Sequence, residues 1–322
     1  MKNIAILTSG GDAPGMNAAI RAVVRTAIYR NLQVLGIKYG YEGMINGDFI
    51  SLNAESVSGI INRGGTFLKT SRSARFMTEE GMKTAYDQLV KNNIDGVVAI
   101  GGDGTFRGAN EFTAKYHIPF IGIPGTIDND LIGTDYTIGY DTAINTVVEA
   151  VDKIRDTAES HDRLFLVEVM GRDAGLIALK GGIGSGAEAI LIPESKNDHH
   201  KLFEKLEKNW GRKKNSKIVI VAEGEPGGVY KIAEEVKKKF RNYDTRVTVL
   251  GHIQRGGSPT CMDRVLASRI GFAAVEAIIS EKKDVVVGIV NNKINYTSFK
   301  DAVKHIDEID PQLMEMMEVL SN

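Results

Sequence analysis

The chain reads as an α/β protein built on largely parallel sheets, and three observations predict it. Short apolar runs recur along the sequence, glycine follows each of them closely, and most of the intervening stretches carry helical periodicity. Buried strands alternating with helices build parallel sheets. In such sheets ligands bind beyond the carboxyl ends of the strands, which is where these glycines stand.

The first strand is the run 4–7 ahead of Gly10 and Gly11. A helix over 16–29 follows, with Met16, Ile20, Val23, Val24 and Ala27 on one face. A second helix over 78–91 leads to the strand 97–100, a continuous apolar run ahead of Gly101 and Gly102. Strand 120–123 precedes Gly125, and a helix over 142–158 comes after it. Strand 164–169 stops before Gly171. Helix 201–208 leads to strand 218–222 and Gly224, and helix 232–240 to strand 247–250 and Gly251. A last helix spans 263–279.

Length and composition narrow the function classes. A chain of 322 residues can bury a large core and suggests about two domains. It is 43% hydrophobic and 25% charged with a net charge of −1, so it has no basic footprint for nucleic acid or membrane surfaces. No apolar run approaches the roughly 18 residues of a spanning helix, and the N-terminal MKNIAILTSGG is too short an apolar stretch for a signal peptide. The single cysteine, Cys261, excludes an intramolecular disulfide and a zinc site of several thiolates. A cytoplasmic location is expected. No repeat or low-complexity linker divides the chain.

Three loops carry the chemistry. The first, TSGGDAPGMN over 8–17, joins strand to helix; its glycines allow close backbone approach to an anion, or tight strand–helix packing. It fits neither the G-x-G-x-x-G nor the G-x-x-x-x-G-K-[ST] phosphate signature. The second, GGDGTFRG over 101–108, sets Asp103 among glycines. A carboxylate there would repel phosphates unless a divalent cation lay between, which points to Asp103 as a Mg²⁺ ligand, the alternative being an Asp that only serves the turn. The third, PGTIDND over 124–130, follows a buried strand with two acids two residues apart. It is either turn punctuation or a site where one acid takes a proton while the other manages metal or substrate. Arg72, Arg163, Arg172, Arg246 and Arg255 fall near loops or strand ends and are read as lying along one edge of the fold, suited to bidentate phosphate contacts.

Together these motifs resemble the ATP-dependent 6-phosphofructokinases of the short bacterial type. The matching segments are LTSGGDAPGMNAAIR (7–21), GGDGT (101–105), PGTIDND (124–130), GTDYTIGYDTA (133–143), VEVMGR (167–172) and LGHIQRGGSP (250–259). GGDGT alone also occurs in other kinases, such as those of NAD; the combination is specific. The resemblance implies two Rossmann-like three-layer α/β/α domains with largely parallel sheets and the active site in the interdomain cleft. It gives a larger ATP-binding domain of 1–139 plus 252–303, and a smaller sugar-phosphate domain of 140–251 plus 304–322. It implies transfer of phosphate from MgATP to fructose 6-phosphate, the committed step of glycolysis.

By the same resemblance, Asp128 is the base for the sugar's 1-hydroxyl, Asp130 and Asp103 serve Mg²⁺, and Thr126 contacts the sugar. Arg172 and the Gly11 backbone stabilise the transferring phosphoryl group. Gly11, Tyr41, Arg72, Ser73, Gly102, Asp103, Gly104, Thr105 and Gly108 meet the nucleotide. Thr126, Asp128, Met170, Gly171, Arg172, Glu223, His252 and Arg255 meet fructose 6-phosphate, and Arg163 and Arg246 reach it from a neighbouring subunit, so a homotetramer is expected. Pyrophosphate-dependent relatives carry Asp and Lys where this chain has Gly104 and Gly125; small residues at both leave room for a nucleotide, so ATP is the expected donor.

An effector site for ADP or phosphoenolpyruvate at a subunit interface is implied at Arg21, Arg25, Arg155, Glu188, Arg212 and Lys214. Ala54, Gly59 and Ser216 depart from the family pattern there. The segment 71–76 also departs and offers a second register in which Arg75 replaces Arg72. Leu176 and Lys180 depart near Arg172. Two rivals stand beside this reading: a kinase of NAD or lipid, and a nucleotide-sensing subunit without catalysis.

Overall fold

The computed structural model describes residues 1–161, 163–195, 198–208, 217–241, 243–303 and 309–320. In chain order the elements are β1 (Asn3–Thr8), α1 (Met16–Tyr29), β2 (Gln33–Ile37), α2 (Gly40–Asn46), β3 (Phe49–Leu52), α3 (Glu79–Lys91), β4 (Gly96–Gly101), α4 (Asp103–Lys115) and β5 (Phe120–Pro124). They continue with α5 (Tyr140–His161), β6 (Arg163–Val169), α6 (Leu176–Gly184), β7 (Ala189–Leu191), α7 (Asp198–Lys208), β8 (Lys217–Ala222), α8 (Gly228–Lys239) and β9 (Asp244–Val249). The last are α9 (Cys261–Ile279), β10 (Val285–Val290), β11 (Lys293–Ser298) and α10 (Pro311–Leu320). Two compact units result: Met1–Thr142 with Arg255–His305, and Ala143–Gln254 with Ile306–Asn322.

The first unit holds a seven-stranded sheet in the order β11-β10-β5-β4-β1-β2-β3. The five inner strands are parallel, and β3 and β11 run antiparallel at the edges. β4 and β5 are buried along their whole length, and β1 is buried beyond its first residue. That is why they read as unbroken apolar runs. Ala5, Leu7, Val97 and Ala99 pack on one face into a cluster with Tyr41 and Met44 of α2, Leu89 of α3, and Phe106 and Phe112 of α4. Helix α9 covers the other face: a Cβ on Gly96 would stand 2.6 Å from Ile278 Cδ1. Helices α1 and α9 touch closely, since a Cβ at Gly271 would lie 2.7 Å from Ala22 Cβ and 2.9 Å from Ala19 O.

The second unit holds a fully parallel four-stranded sheet, β7-β8-β6-β9. Leu164, Leu166, Val219 and Val221 face a cluster formed with Leu202 and Leu206 of α7 and Val229, Ile232 and Val236 of α8. Ile190 and Ile220 face α6, where Gly182 brings the helix backbone against them.

Both sheets are parallel-rich, as expected, but several elements carry no signal of their own. The edge strands β3 and β11 are half-exposed and mixed in polarity. β9 begins at Asp244 rather than 247, because its polar start continues the ladder with β6 from Arg163 onward. Among the described residues no helix is long and apolar enough to cross a membrane.

Candidate active site

In the first unit β5, β4 and β1 end side by side, and their loops are bonded to one another. Ser9 N donates to Ile100 O (2.9 Å), Gly125 N donates to Gly101 O (2.9 Å), and Thr105 Oγ1 donates to Ser9 O (3.2 Å). Glycine is required at this junction: a Cβ on Gly101 would sit 2.2 Å from Thr105 Oγ1 and 2.5 Å from Ser9 O. Over the first loop lies the Arg255 guanidinium, which donates to Asp12 O (3.3 Å) and stands 2.6 Å from where a Cβ of Gly11 would be. A sugar-phosphate arginine in the sequence reading is thus a neighbour of the glycine loop.

The loop 124–130 is buried, with Asp128 and Asp130 only 2% and 5% exposed. Ordinary turn residues face water, so burial of both acids separates this loop from simple punctuation. Asn129 takes the left-handed conformation at φ 54° and accepts Thr137 N at 2.7 Å. Thr137 Oγ1 donates to Thr126 O at 2.6 Å, strapping the loop to the segment behind it. Thr126 stands beside Gly102, whose Cβ would be 3.7 Å from Thr126 Cβ. The Thr126 hydroxyl accepts Asp128 N at 3.3 Å. Asp103 opens α4, half-buried, and pairs with Arg107 one turn on at 2.9 Å.

The residues read as nucleotide contacts divide into exposed and supporting groups. Gly104 is exposed, and a Cβ there would meet nothing within 4 Å. Gly125 is buried, and a Cβ would stand 2.9 Å from Ile100 Cγ2 and 3.1 Å from Met16 Cε. Smallness therefore leaves room for a ligand at Gly104, whereas at Gly125 it serves packing; the reading of both as nucleotide space is corrected for Gly125. Arg72 is exposed and makes no ion pair among the described residues. Arg75 is committed to Glu42 Oε1 (2.6 Å) and Asn46 Oδ1 (3.0 Å), which favours Arg72 over the shifted register.

Ser73 donates to Glu42 Oε2 at 2.6 Å and holds that carboxyl below its ordinary range, with help from Arg75. Tyr41 is buried and stacked on Phe76 at 4.0 Å, beneath Gly108. Its hydroxyl donates to Thr105 O at 2.6 Å, and burial pushes its pKa far up, so it remains a neutral donor. Tyr41, Ser73 and Thr105 brace the loops from beneath.

In the second unit β8, β6 and β9 are adjacent and parallel, and their carboxyl ends carry Glu223, Met170–Gly171–Arg172 and His252. Glu223 Oε1 accepts Gly171 N (3.2 Å) and Arg172 N (2.7 Å). These bonds hold a strained turn: Arg172 has φ 53°, and a Cβ on Gly171 would meet Ala174 O at 2.4 Å. Leu176 opens α6 just beyond, with Lys180 one turn further.

Arg163 and Arg246 are elsewhere. Arg163 opens β6 and Arg246 pairs with Phe165 near the amino end of β9, and both converge on Asp244 (2.8 and 3.0 Å). They hold that carboxyl below its ordinary value, Arg163 most. The expectation of five arginines along one edge is therefore corrected. A strand of seven residues separates Arg163 from Arg172, a span of about 20 Å at roughly 3.3 Å per residue. Strand direction, readable in the sequence, carried the signal.

Of the effector candidates, Arg21 and Arg25 lie one turn apart on α1, and neither makes an ion pair among the described residues. Arg155 donates to Ser185 O in the connection that leads to Glu188. Arg212, Lys214 and Ser216 lie outside the described residues. Two structural residues went unnoticed in the sequence. Asn129, in a turn-rich run, locks the loop of the two acids. Asp263 is fully buried and accepts Gly139 N and Thr142 N, each at 2.8 Å, at the start of α5. The Thr260-x-x-Asp263 capping pattern was a visible signal for it.

Comparison with known proteins follows the same lines. The family profile described as "Phosphofructokinase" matches residues 3–278. The ATP-dependent 6-phosphofructokinase 2 of Bacteroides thetaiotaomicron is 54% identical over 322 residues, covering 100% of this chain and 99% of that protein. The ATP-dependent 6-phosphofructokinase 1 of Thermus thermophilus is 53% identical, with full coverage of both chains. Among solved structures, phosphofructokinase from Saccharomyces cerevisiae superposes with a TM-score of 0.86 at 38% identity over 93% of this chain. This chain spans 45% of the yeast one. The pyrophosphate-dependent phosphofructokinase from Marinobacter aquaeolei superposes with a TM-score of 0.85 at 23% identity over 96% of this chain and 86% of that one, a likeness of fold alone. Since the profile runs from the first residue of β1 into the last turn of α9, and the bacterial relatives align over the whole chain, this chain belongs to the phosphofructokinase family.

Proposed function

We propose that the chain transfers the γ-phosphoryl group of MgATP to the 1-hydroxyl of fructose 6-phosphate, giving fructose 1,6-bisphosphate and ADP. The observation that carries this reading is the pair of buried carboxylates, Asp128 and Asp130, on a loop whose Gly125 N bonds to Gly101 of one glycine loop, which Ser9 N and Thr105 Oγ1 tie in turn to the other. Phosphoryl transfer needs positioning and charge stabilisation more than covalent chemistry, with one carboxylate aimed at the attacking hydroxyl. Asp128 takes the proton as the sugar oxygen bonds to phosphorus and the bond to the ADP oxygen breaks. Thr126 holds Asp128's loop and contacts the sugar. Arg172 and the Gly11 N–H stabilise charge on the transferring group.

Mg²⁺ fits the donor set. Asp103 and Asp130 are hard oxygen donors on the loops after neighbouring strands β4 and β5, and Mg²⁺ commonly takes one or two carboxylates plus phosphate oxygens. The Asp103–Arg107 pair is an i,i+4 helical pair whose arginine is exposed, a kind worth about 0.3–0.5 kcal/mol, so it yields readily to a cation. Bound there, the ion supplies neutralisation of phosphate charge.

On the nucleotide side Gly11, Gly102, Gly104 and Arg72 meet ATP directly, with Gly108, Tyr41, Ser73 and Thr105 behind them. Met170, Gly171, Arg172, Glu223, His252 and Arg255 serve fructose 6-phosphate. Arg163 and Arg246, at the strand end opposite Arg172, serve the substrate of a neighbouring copy in a homotetramer. Arg21, Arg25, Arg155, Glu188, Arg212 and Lys214 serve an effector phosphate site for ADP or phosphoenolpyruvate at a subunit interface. The reaction is assigned to the cytoplasm.

The test is production of fructose 1,6-bisphosphate from fructose 6-phosphate and Mg²⁺, with ATP and pyrophosphate supplied in parallel. Turnover with ATP alone supports the whole reading. Turnover with pyrophosphate overturns the donor, and turnover with neither overturns the acceptor as well.

A further inference from the structure

Gln254 has no role in the mechanism, yet it is the one fully buried residue of the 3₁₀ turn Gly251–Arg255, which also carries His252. Its two amide ends are both used. Oε1 accepts Met170 N at 3.2 Å, and Nε2 donates to Gly251 O at 3.0 Å. The partners dictate the orientation, because a peptide N–H only donates and a carbonyl only accepts. The side chain therefore ties the turn after β9 to the peptide that begins Met170–Gly171–Arg172 after β6. Glu223 fixes the next two N–H groups of that same turn. Three consecutive amides are thus held by two side chains, and Arg172 keeps its strained φ only because its surroundings over-determine it.

We infer that Gln254 is a positioning residue for fructose 6-phosphate, setting His252 and the Met170–Arg172 turn in register without touching the substrate. The inference rests on the proposed reading of those residues as sugar-phosphate contacts. The neutral amide offers an acceptor and a donor at once, whereas an ionised glutamate lacks the donor and methionine has no donor and only a weak sulfur acceptor.

Three variants of one experiment test it. In Gln254→Met the KM for fructose 6-phosphate rises about tenfold, the usual worth of one or two lost hydrogen bonds, while the KM for ATP stays within about twofold. Gln254→Glu gives a pH signature, because a neutral carboxylic acid reproduces both bonds and its anion only one. Its KM relative to wild type is therefore near unity at about pH 5.5–6 and rises toward pH 8, burial having raised the introduced carboxyl. His252, Arg172 and Glu223 are common to variant and wild type, so the ratio isolates residue 254. Hydrogen exchange of the backbone amides over 164–174 is faster in Gln254→Met, whatever the substrate.

An unchanged KM in both variants, or a Gln254→Glu penalty equal at every pH, overturns the positioning role. Faster exchange with a wild-type enzyme inactive on fructose 6-phosphate keeps the clamp and overturns the substrate. Should Gln254→Met fail to fold, the Gln254→Glu profile and its exchange decide alone.

Discussion

Replacing Asp128 by Asn gives the sharpest outcome for the proposed chemistry. The side chain is 2% exposed, and Asn has almost the same shape, so the pocket keeps its packing. The loop around it is held by Asn129 to Thr137 and by Thr137 to Thr126, bonds that do not pass through the Asp128 carboxyl. What the substitution removes is the proton acceptor. A positioned general base contributes about 10²–10⁴ in rate, which at 1.36 kcal/mol per factor of ten corresponds to a barrier about 2.7–5.4 kcal/mol higher. Steady-state turnover, measured as ADP formed in the presence of fructose 6-phosphate, falls by that factor. The KM values move little, and the thermal unfolding midpoint stays within a few degrees. Turnover within about tenfold of wild type, with the fold intact, would refute Asp128 as the base.

Glu223→Ala removes the acceptor of two backbone N–H groups and frees the strained Arg172; the KM for fructose 6-phosphate rises about 10–100-fold, and Glu223→Gln, which keeps an acceptor, lies between it and wild type. Gly125→Lys clashes with Ile100 and Met16 and lowers stability by about 1–3 kcal/mol in denaturant titration. Gly104→Asp unfolds like wild type and weakens ATP instead, and a normal melt for Gly125→Lys would contradict the packing account. Glu42 is held below the ordinary carboxylate range by Ser73 and then Arg75, so its stabilising effect is present above that range and is lost as pH falls through its depressed value. Acid unfolding followed by circular dichroism therefore shows a smaller loss of stability on acidification in Glu42→Gln than in wild type, with a higher KM for ATP at neutral pH because the segment bearing Arg72 is looser.

The sequence by itself determined strands β1, β4, β5, β6 and β8, helices α1, α3, α5, α7, α8 and α9, and the three loops that carry the chemistry. Each is written in local periodicity or in glycine placement, and a strand buried on both faces cannot hide its composition. Resemblance then assigned roles to residues lying on those loops. Tertiary structure decided what depends on neighbours distant in the chain. β2, β3, β7 and β11 pass unnoticed because they are short, half-exposed, or led by polar residues, and β10, an apolar and mostly buried run, lacks the following glycine that marks the other strands. Gly104 and Gly125 look alike as letters, yet one opens to solvent and the other touches Ile100 and Met16. Tyr41 reads as a ligand contact and folds as a buried brace. Gln254 sits inside the segment LGHIQRGGSP, yet its task is not legible there, because its value lies in two backbone groups, one of them 84 residues away. Composition records whether a side chain is apolar; only packing decides which buried donor meets which acceptor.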